Sequence, residues 1–358
     1  MQSTSYQSSN SDFSKKIFKL FKGFKYEFFQ PSLFVNTDYL IERSGENFRD
    51  QAYSFQDEIG KNFSLRTDLT LSVCLNYIKN KFKAEKKFFY FDDVFRKNRA
   101  NSIVTKQLGC EIINSSELQK STLDVFLTIF KSLKIFKKEV KNFKVQFGDI
   151  KLFEILIENI DLPERWKLRL KKHFCRINYF EDLIQILNSN QKLYLKNILI
   201  DKKKYLHLKK FPKKNISGRQ VQEILDRFES KINDPRDFYD GKKAVKIIKG
   251  FLKISCRLSS LKKNLEFFCV KNNLRKDLFE ERISFFDQIK KTIKQNNFYY
   301  SSQTGRDLEY YTGYTFQIVK ISNKKKLNLA RGGNYDNLFS ALGSKKKIPA
   351  VGGAINLI

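Results

Sequence analysis

From Lys15 to Lys25, lysines alternate with Ile, Phe and Leu at helical spacing, which predicts an amphipathic helix ending near Gly23. Tyr26-Glu27-Phe28-Phe29-Gln30-Pro31 reads as a short aromatic strand closed by proline. Leu65 to Tyr77 starts extended at its arginine and then turns apolar at helix-compatible spacing. Phe88-Phe89-Tyr90-Phe91 predicts an aromatic strand, and a second strand over Thr105 to Ile113 would pair with it across a loop holding Asn98 to Ser102. Leu123 to Phe136 is helical by period. From Asp161 the texture changes to Lys-rich helical segments that continue to about Ile293, with breaks near Pro212, Gly218 and Pro235. Leu162-Pro163-Glu164-Arg165 reads as a helix start. Ser217-Gly218-Arg219-Gln220 would cap a helix over Gln220 to Lys231, and Asp240-Gly241 marks a turn. Strand character returns over Asn297 to Tyr300, Tyr311 to Ile321 and Leu327 to Arg331. Gly332-Gly333-Asn334-Tyr335-Asp336 then reads as a turn opening a helix, and Pro349 to Leu357 is small and apolar.

Strands at both ends with helices between them predict an α+β fold whose sheet is completed by sequence-distant segments. Residues 1–160 would form the first part of the core, 161–294 a mainly helical central insertion, and 295–358 the closing strands.

Composition narrows the chemistry. With 41% hydrophobic and 30% charged residues over 358 positions, and no apolar run long enough to span a bilayer, the chain reads as a globular protein of the cytosol with no membrane partner. The Ser-rich start lacks the apolar stretch of a signal peptide. Five cysteines lie far apart without a CxxC pair, and His173 and His207 are the only histidines, so neither a disulfide framework nor a metal site is expected. The net charge of +31 would ordinarily point to nucleic acid. Its excess is mainly Lys scattered through the whole chain, not clustered Arg beside stacking aromatics, so nucleic acid is not the expected partner. An acidic protein or nucleotide phosphates would suit the same charge.

Four separated stretches place polar residues on what should be adjacent strands. They are LRTDLT with Asp68 and Thr70, Phe95-Arg96, QLGCE with Gln107 and Glu111, and GRDLEYYTG with Arg306, Tyr310 and Tyr311. Taken singly, each is an ordinary edge charge or core aromatic. In this order, followed by Gly332-Gly333-Asn334-Tyr335-Asp336, they resemble the class II histidyl-tRNA synthetase family and its paralogue, the ATP phosphoribosyltransferase regulatory subunits. The family forms are LRPE.T, FR, QFG.E, RGLDYYTG and GGRYD. Pro31, Phe95-Arg96 and Pro349-Ala350-Val351-Gly352 match the three class-defining motifs, and Gly148 to Phe174 resembles the regulatory paralogue.

The resemblance implies a class II synthetase-like antiparallel sheet flanked by helices, and a site for free histidine. Asp68, Thr70 and Gln107 would meet the α-ammonium, and Arg96 would clamp the carboxylate with Arg306 nearby. Glu111 and Tyr311, with Tyr310 beside them, would bracket the imidazole, while Gly332 and Gly333 would allow close backbone approach. Such a set suits a ligand whose ammonium, carboxylate and two ring nitrogens must each be paired once buried.

ATP-gripping features of the synthetases look altered: Lys97-Asn98 follows Arg96, the segment between Arg96 and Gln107 is shorter than theirs, and Ile358 stands where their third motif continues. The expected role is therefore a non-catalytic regulatory subunit, with no cofactor. It would form a homodimer within a hetero-oligomer with a short-form ATP phosphoribosyltransferase catalytic subunit. A histidine-activating ligase and an RNA-binding module are the alternatives.

Overall fold

A computed structural model describes residues 6–357 apart from 38, 40–50, 98–102, 137–142, 211–219, 233–237, 294–296 and 323–324. The predicted hairpin loop, the breaks at Pro212, Gly218 and Pro235, and the Ser217–Arg219 part of the helix cap fall outside these residues. The chain first forms α1 (Tyr6–Gly23), β1 (Glu27–Phe28), β2 (Phe34–Asn36), β3 (Ser54–Gln56), β4 (Asn62–Leu65), α2 (Thr70–Lys79), β5 (Lys86–Phe95) and β6 (Val104–Ile113). After α3 (Leu118–Phe136) and β7 (Phe143–Asp149) come α4 (Ile150–Glu158), α5 (Glu164–His173), α6 (Ile177–Leu187), α7 (Gln191–Lys209), α8 (Val221–Ile232) and α9 (Phe238–Leu252). The last part comprises β8 (Ser255–Arg257), α10 (Leu261–Lys271), α11 (Glu280–Thr292), β9 (Phe298–Ser301), β10 (Tyr314–Ser322), β11 (Lys325–Asn334), α12 (Leu338–Ala341) and β12 (Ala350–Leu357).

These elements divide into two compact units. The first consists of Met1–Lys151, Ser255–Asn264 and Glu280–Ile358, and the second of Leu152–Ile254 and Leu265–Phe279. The first unit holds a nine-stranded sheet in the order β1-β5-β6-β12-β11-β10-β7-β9-β8, and a small sheet in the order β2-β4-β3. The large sheet is antiparallel except that β1 pairs with β5, and β7 with β9, in parallel. A parallel pair requires a long crossover, and both have one: β1 and β5 are separated by the small sheet and α2, β7 and β9 by the whole central stretch. The last strand, β12, inserts between β6 and β11, so residues from both ends of the sequence share one surface.

Helix α3 covers one face because Val125, Phe126, Ile129, Phe130 and Leu133 form a buried stripe at helical period. Phe126 meets Phe147, Phe298 and Phe316 of the sheet at centroid distances of 5.0, 6.0 and 5.2 Å. Burying one such ring contributes about 1.5–3 kcal/mol. The core that holds α2 is made by Leu71, Val73, Cys74 and Tyr77 packing with Tyr90, Val94, Tyr335 and Phe339.

In the second unit Phe153 stacks on Phe174 at 3.8 Å, with Phe180 edge-on to both rings. Pro163 stands immediately before α5, as expected of a helix start. Among the described residues no helix is long and apolar enough to cross a membrane.

Two local expectations are corrected. Asp240-Gly241 is not a turn: both lie inside α9, where burial of Ala244, Val245, Ile247, Ile248 and Phe251 outweighs the roughly 1 kcal/mol helix penalty of glycine. Gly332-Gly333-Asn334 belongs to β11, not to a turn. A Cβ at 332 would meet the Gly352 carbonyl and the Phe316 ring, so that glycine serves close strand packing.

Candidate functional site

A cavity of about 290 Å³ opens over the centre of the large sheet within the first unit. Its floor follows from strand register. Glu111 of β6 lies beside Gly352 of β12, which lies beside Gly333 of β11; two residues along, Gly109, Ala354 and Arg331 form the next row. Pleating sends alternate residues to one face, so Gln107, Gly109 and Glu111 rise together. The small residues of β12 leave the space that larger side chains would fill.

Glu111 is fully buried. Its Oε1 accepts a 2.9 Å hydrogen bond from the Tyr90 hydroxyl, and its Oε2 a 2.6 Å bond from the Tyr335 hydroxyl. Burial, and after it the Glu111 charge, holds both phenols well above their usual pKa, so they remain donors. Two glycines permit this arrangement. A Cβ at 109 would strike the Tyr90 ring and one at 352 would strike the Glu111 carboxylate, which leaves no room for any other residue without a shift. Gly352→Ala should accordingly lower unfolding stability by roughly 1–3 kcal/mol; a urea midpoint equal to that of the parent would contradict the close packing.

The opposite wall is the start of α2. Asp68 Oδ1 accepts from the Leu71 amide at 3.3 Å, an acidic group at a helix N-terminus, which the peptide dipoles favour. Thr70 is the first residue of α2. Arg66 fixes the segment leading there. Buried to 4% exposure, it donates from Nε to the Asp93 carbonyl (2.7 Å) and from Nη1 to the Pro31 carbonyl (2.9 Å), and it ion-pairs with Asp92. At the end of β5, Arg96 donates from Nε to the Thr67 carbonyl at 2.7 Å, tying the same segment to the strand.

Gln107 donates from Nε2 to Asn356 Oδ1 at 3.1 Å, whereas its Oε1 is buried with no hydrogen-bond partner in the structure. An orphaned buried acceptor on a cavity wall calls for a donor from a ligand or a water. Tyr311 closes a further side, 4.8 Å from the Tyr310 ring by centroid. Burial, then the neighbouring Tyr310, raises its phenol well above the usual pKa. The segment is clasped by Asn334, whose Oδ1 accepts from the Tyr314 amide (2.8 Å) and whose Nδ2 donates to Thr122 Oγ1 (2.8 Å).

Asp68, Thr70, Arg96, Gln107, Glu111, Tyr310 and Tyr311 thus all line one cavity. Arg306 does not. Only 2% exposed, it donates from Nη1 to Gln303 Oε1 at 3.4 Å and is absent from the cavity lining. The glycines lining the cavity are Gly352 and Gly353; of the expected pair, Gly333 lies beside Gly352 in the floor row, and neither it nor Gly332 is among the lining residues. Sequence reasoning missed Asp307, Arg331 and the contacts of Tyr90 and Tyr335 with Glu111. Asp307 and Tyr335 sit inside stretches already singled out, whereas nothing in the sequence pattern distinguished Arg331.

The arrangement can grip a small zwitterion. It offers acceptors at Asp68, Thr70 and Gln107, cations at Arg96 and Arg331, and a carboxylate and phenol that can receive and donate at an aromatic nitrogen heterocycle.

Residues 6–358 match the family model described as histidyl-tRNA synthetase. Among curated proteins, the chain is 26% identical over 333 residues to an ATP phosphoribosyltransferase regulatory subunit of Sinorhizobium fredii, covering 87% of this chain and 86% of that one. It is 25% identical over 347 residues to one of Brucella canis, covering 92% and 91%. Among solved structures, the fold is shared with an ATP phosphoribosyltransferase regulatory subunit/histidyl-tRNA synthetase from Bacillus halodurans (TM-score 0.61, 15% identity, 96% of this chain and 76% of that one). It is shared also with an ATP phosphoribosyl transferase (HisG:HisZ) complex from Thermotoga maritima (TM-score 0.53, 18% identity, 97% of each chain).

Proposed function

The chain belongs to the histidyl-tRNA synthetase family, and from that premise we propose that it serves as the non-catalytic regulatory subunit of an ATP phosphoribosyltransferase, acting at the first step of histidine biosynthesis and binding free histidine. The observation that carries this reading is the cavity, in which seven residues from four separated stretches face one another with groups complementary to each part of that amino acid. The regulatory role is supported by relatives of that name matched over most of both lengths.

In this reading Asp68, Thr70 and the orphaned Gln107 oxygen receive the α-ammonium. Arg96 meets the carboxylate, and Glu111 and Tyr311 flank the imidazole. The cations on the cavity wall are Arg96, engaged with Thr67, and Arg331, engaged with Asp307. The protein works in the cytosol, as a homodimer within a hetero-oligomer that includes a short-form catalytic subunit. Histidine tunes that subunit through a coupling free energy, typically about 1–3 kcal/mol in regulated systems.

Addition of this chain to a purified short-form catalytic subunit is expected to raise phosphoribosyl transfer to ATP, and histidine to alter that stimulation. No enhancement would remove the proposal. Histidine-dependent exchange of pyrophosphate into ATP is expected to be absent; its appearance would instead identify a histidine-activating ligase.

A further inference from the structure

We propose that Arg331 is a second carboxylate-binding residue, acting together with Arg96, held in place by Asn328 and paired with Asp307 until the ligand displaces that aspartate. The inference rests on the histidine reading of the site.

Its origin is an irregularity in the sheet. Where β10 pairs with β11, Gln317 lies opposite Arg331 and Ile318 opposite Ala330, but Val319 lies opposite Asn328, leaving Leu329 as an extra residue. Such a bulge reverses the in-out alternation of the strand beyond it. Asn328 and Arg331, three apart and destined for opposite faces of a regular strand, therefore share the face that also carries Gln317. In the amide orientation its neighbours require, the Asn328 oxygen accepts from Arg331 Nε (2.9 Å) and Nη2 and from Gln317 Nε2 (3.1 Å), while its nitrogen donates to the Ala330 carbonyl (3.1 Å).

One edge of the guanidinium is thereby fixed. Its Nη1 points to Asp307 Oδ2 at 2.9 Å, in a pair whose side chains are 35% and 56% exposed. Both residues line the cavity. Arg331 also offsets part of the effect of burial on the Tyr311 phenol, so its charge is felt at the ring-binding end. A half-exposed aspartate is a weak partner that a ligand carboxylate can displace, because the solvated pair contributes little. The buried Arg306 offers no such surface.

Binding of histidine and of histidinol, which has an alcohol in place of the carboxylate, tests this by calorimetry on the intact chain. The parent should prefer histidine. In Arg331→Gln, histidine affinity should fall about 10-fold or more while histidinol changes less than about twofold, as expected for loss of one charge-assisted contact. Arg331→Lys should recover part of the preference, and Asp307→Asn should tighten histidine binding by removing the competing anion. Equal weakening of both ligands, or of neither, in Arg331→Gln would overturn the role of Arg331 alone. A parent chain that binds no histidine would overturn the occupancy reading, and this inference with it.

Discussion

Replacing Glu111 with alanine is expected to weaken histidine binding roughly 100-fold while the protein stays folded, as a calorimetric titration would show. The carboxylate sits under the cavity with one oxygen held by Tyr90 and the other by Tyr335. A carboxylate oxygen can accept more than one hydrogen bond, and in the proposed reading a ring N–H of the ligand donates to Glu111. Removing the carboxylate deletes that charge-assisted bond, worth about 1.5–3 kcal/mol, and leaves two buried phenol donors to find other acceptors at about 1–3 kcal/mol each. The fold itself loses a desolvated charge, which offsets part of the cost to the empty protein. Glu111→Gln should fall between parent and alanine variant, because its amide keeps one acceptor and presents two donors to phenols that already donate. An affinity within about twofold of the parent for Glu111→Ala would detach the imidazole from this carboxylate and reopen the choice of ligand.

Much of this site was legible because its residues fall in short stretches that follow one another in a recognisable order. Asp68 stands just before α2 and Arg96 just after β5, Gln107 and Glu111 lie within β6, and Tyr311 stands three residues before β10; the hydrophobic pattern also marks these segments, so local periodicity and motif order agreed. One strand was readable for the same reason: β6 spans Val104–Ile113, against a predicted strand over Thr105 to Ile113, whereas the segment that forms β12 was read only as small and apolar. Other features depend on pairing partners that no linear reading supplies. Gly332 and Gly333 look like turn residues until Phe316 and Gly352 are placed against them. Gly241 looks like a break until the apolar face around it is buried. Arg331 was invisible because its direction is set by one unpaired residue, Leu329, and by Asn328 across the bulge. Arg306 shows the converse: the motif located the residue, but burial beside Gln303 placed its side chain off the cavity wall.

The largest stability effect is expected at Arg282. Its Nε and Nη2 donate to Asp149 Oδ2 and Oδ1 at 2.7 and 2.9 Å, a two-pronged pair in which the Asp149 side chain has no exposure and that of Arg282 only 17%. The guanidinium also lies 3.7 Å from the Tyr314 ring centroid, and that ring packs on Phe285 at 4.0 Å. Burial pushes the Asp149 carboxyl up, and Arg282 opposes that shift, so the ion pair is what makes a charged aspartate tolerable there. Arg282→Met should therefore cost about 3–5 kcal/mol in denaturant unfolding, since it strands a buried carboxylate. Asp149→Leu combined with Arg282→Met should recover most of that loss, because a buried pair replaced by apolar groups of similar size is often close to neutral. The site shares in the consequence: Asp149 pairs with Tyr314 at the start of β10, and the Ile150 amide donates to the Gly313 carbonyl at 3.0 Å, directly after the Tyr310-Tyr311 wall. The single variant should accordingly bind histidine less well than the double one. A double variant no more stable than Arg282→Met would show that the cation holds α11 to the sheet by packing on Tyr314, and not by neutralising Asp149.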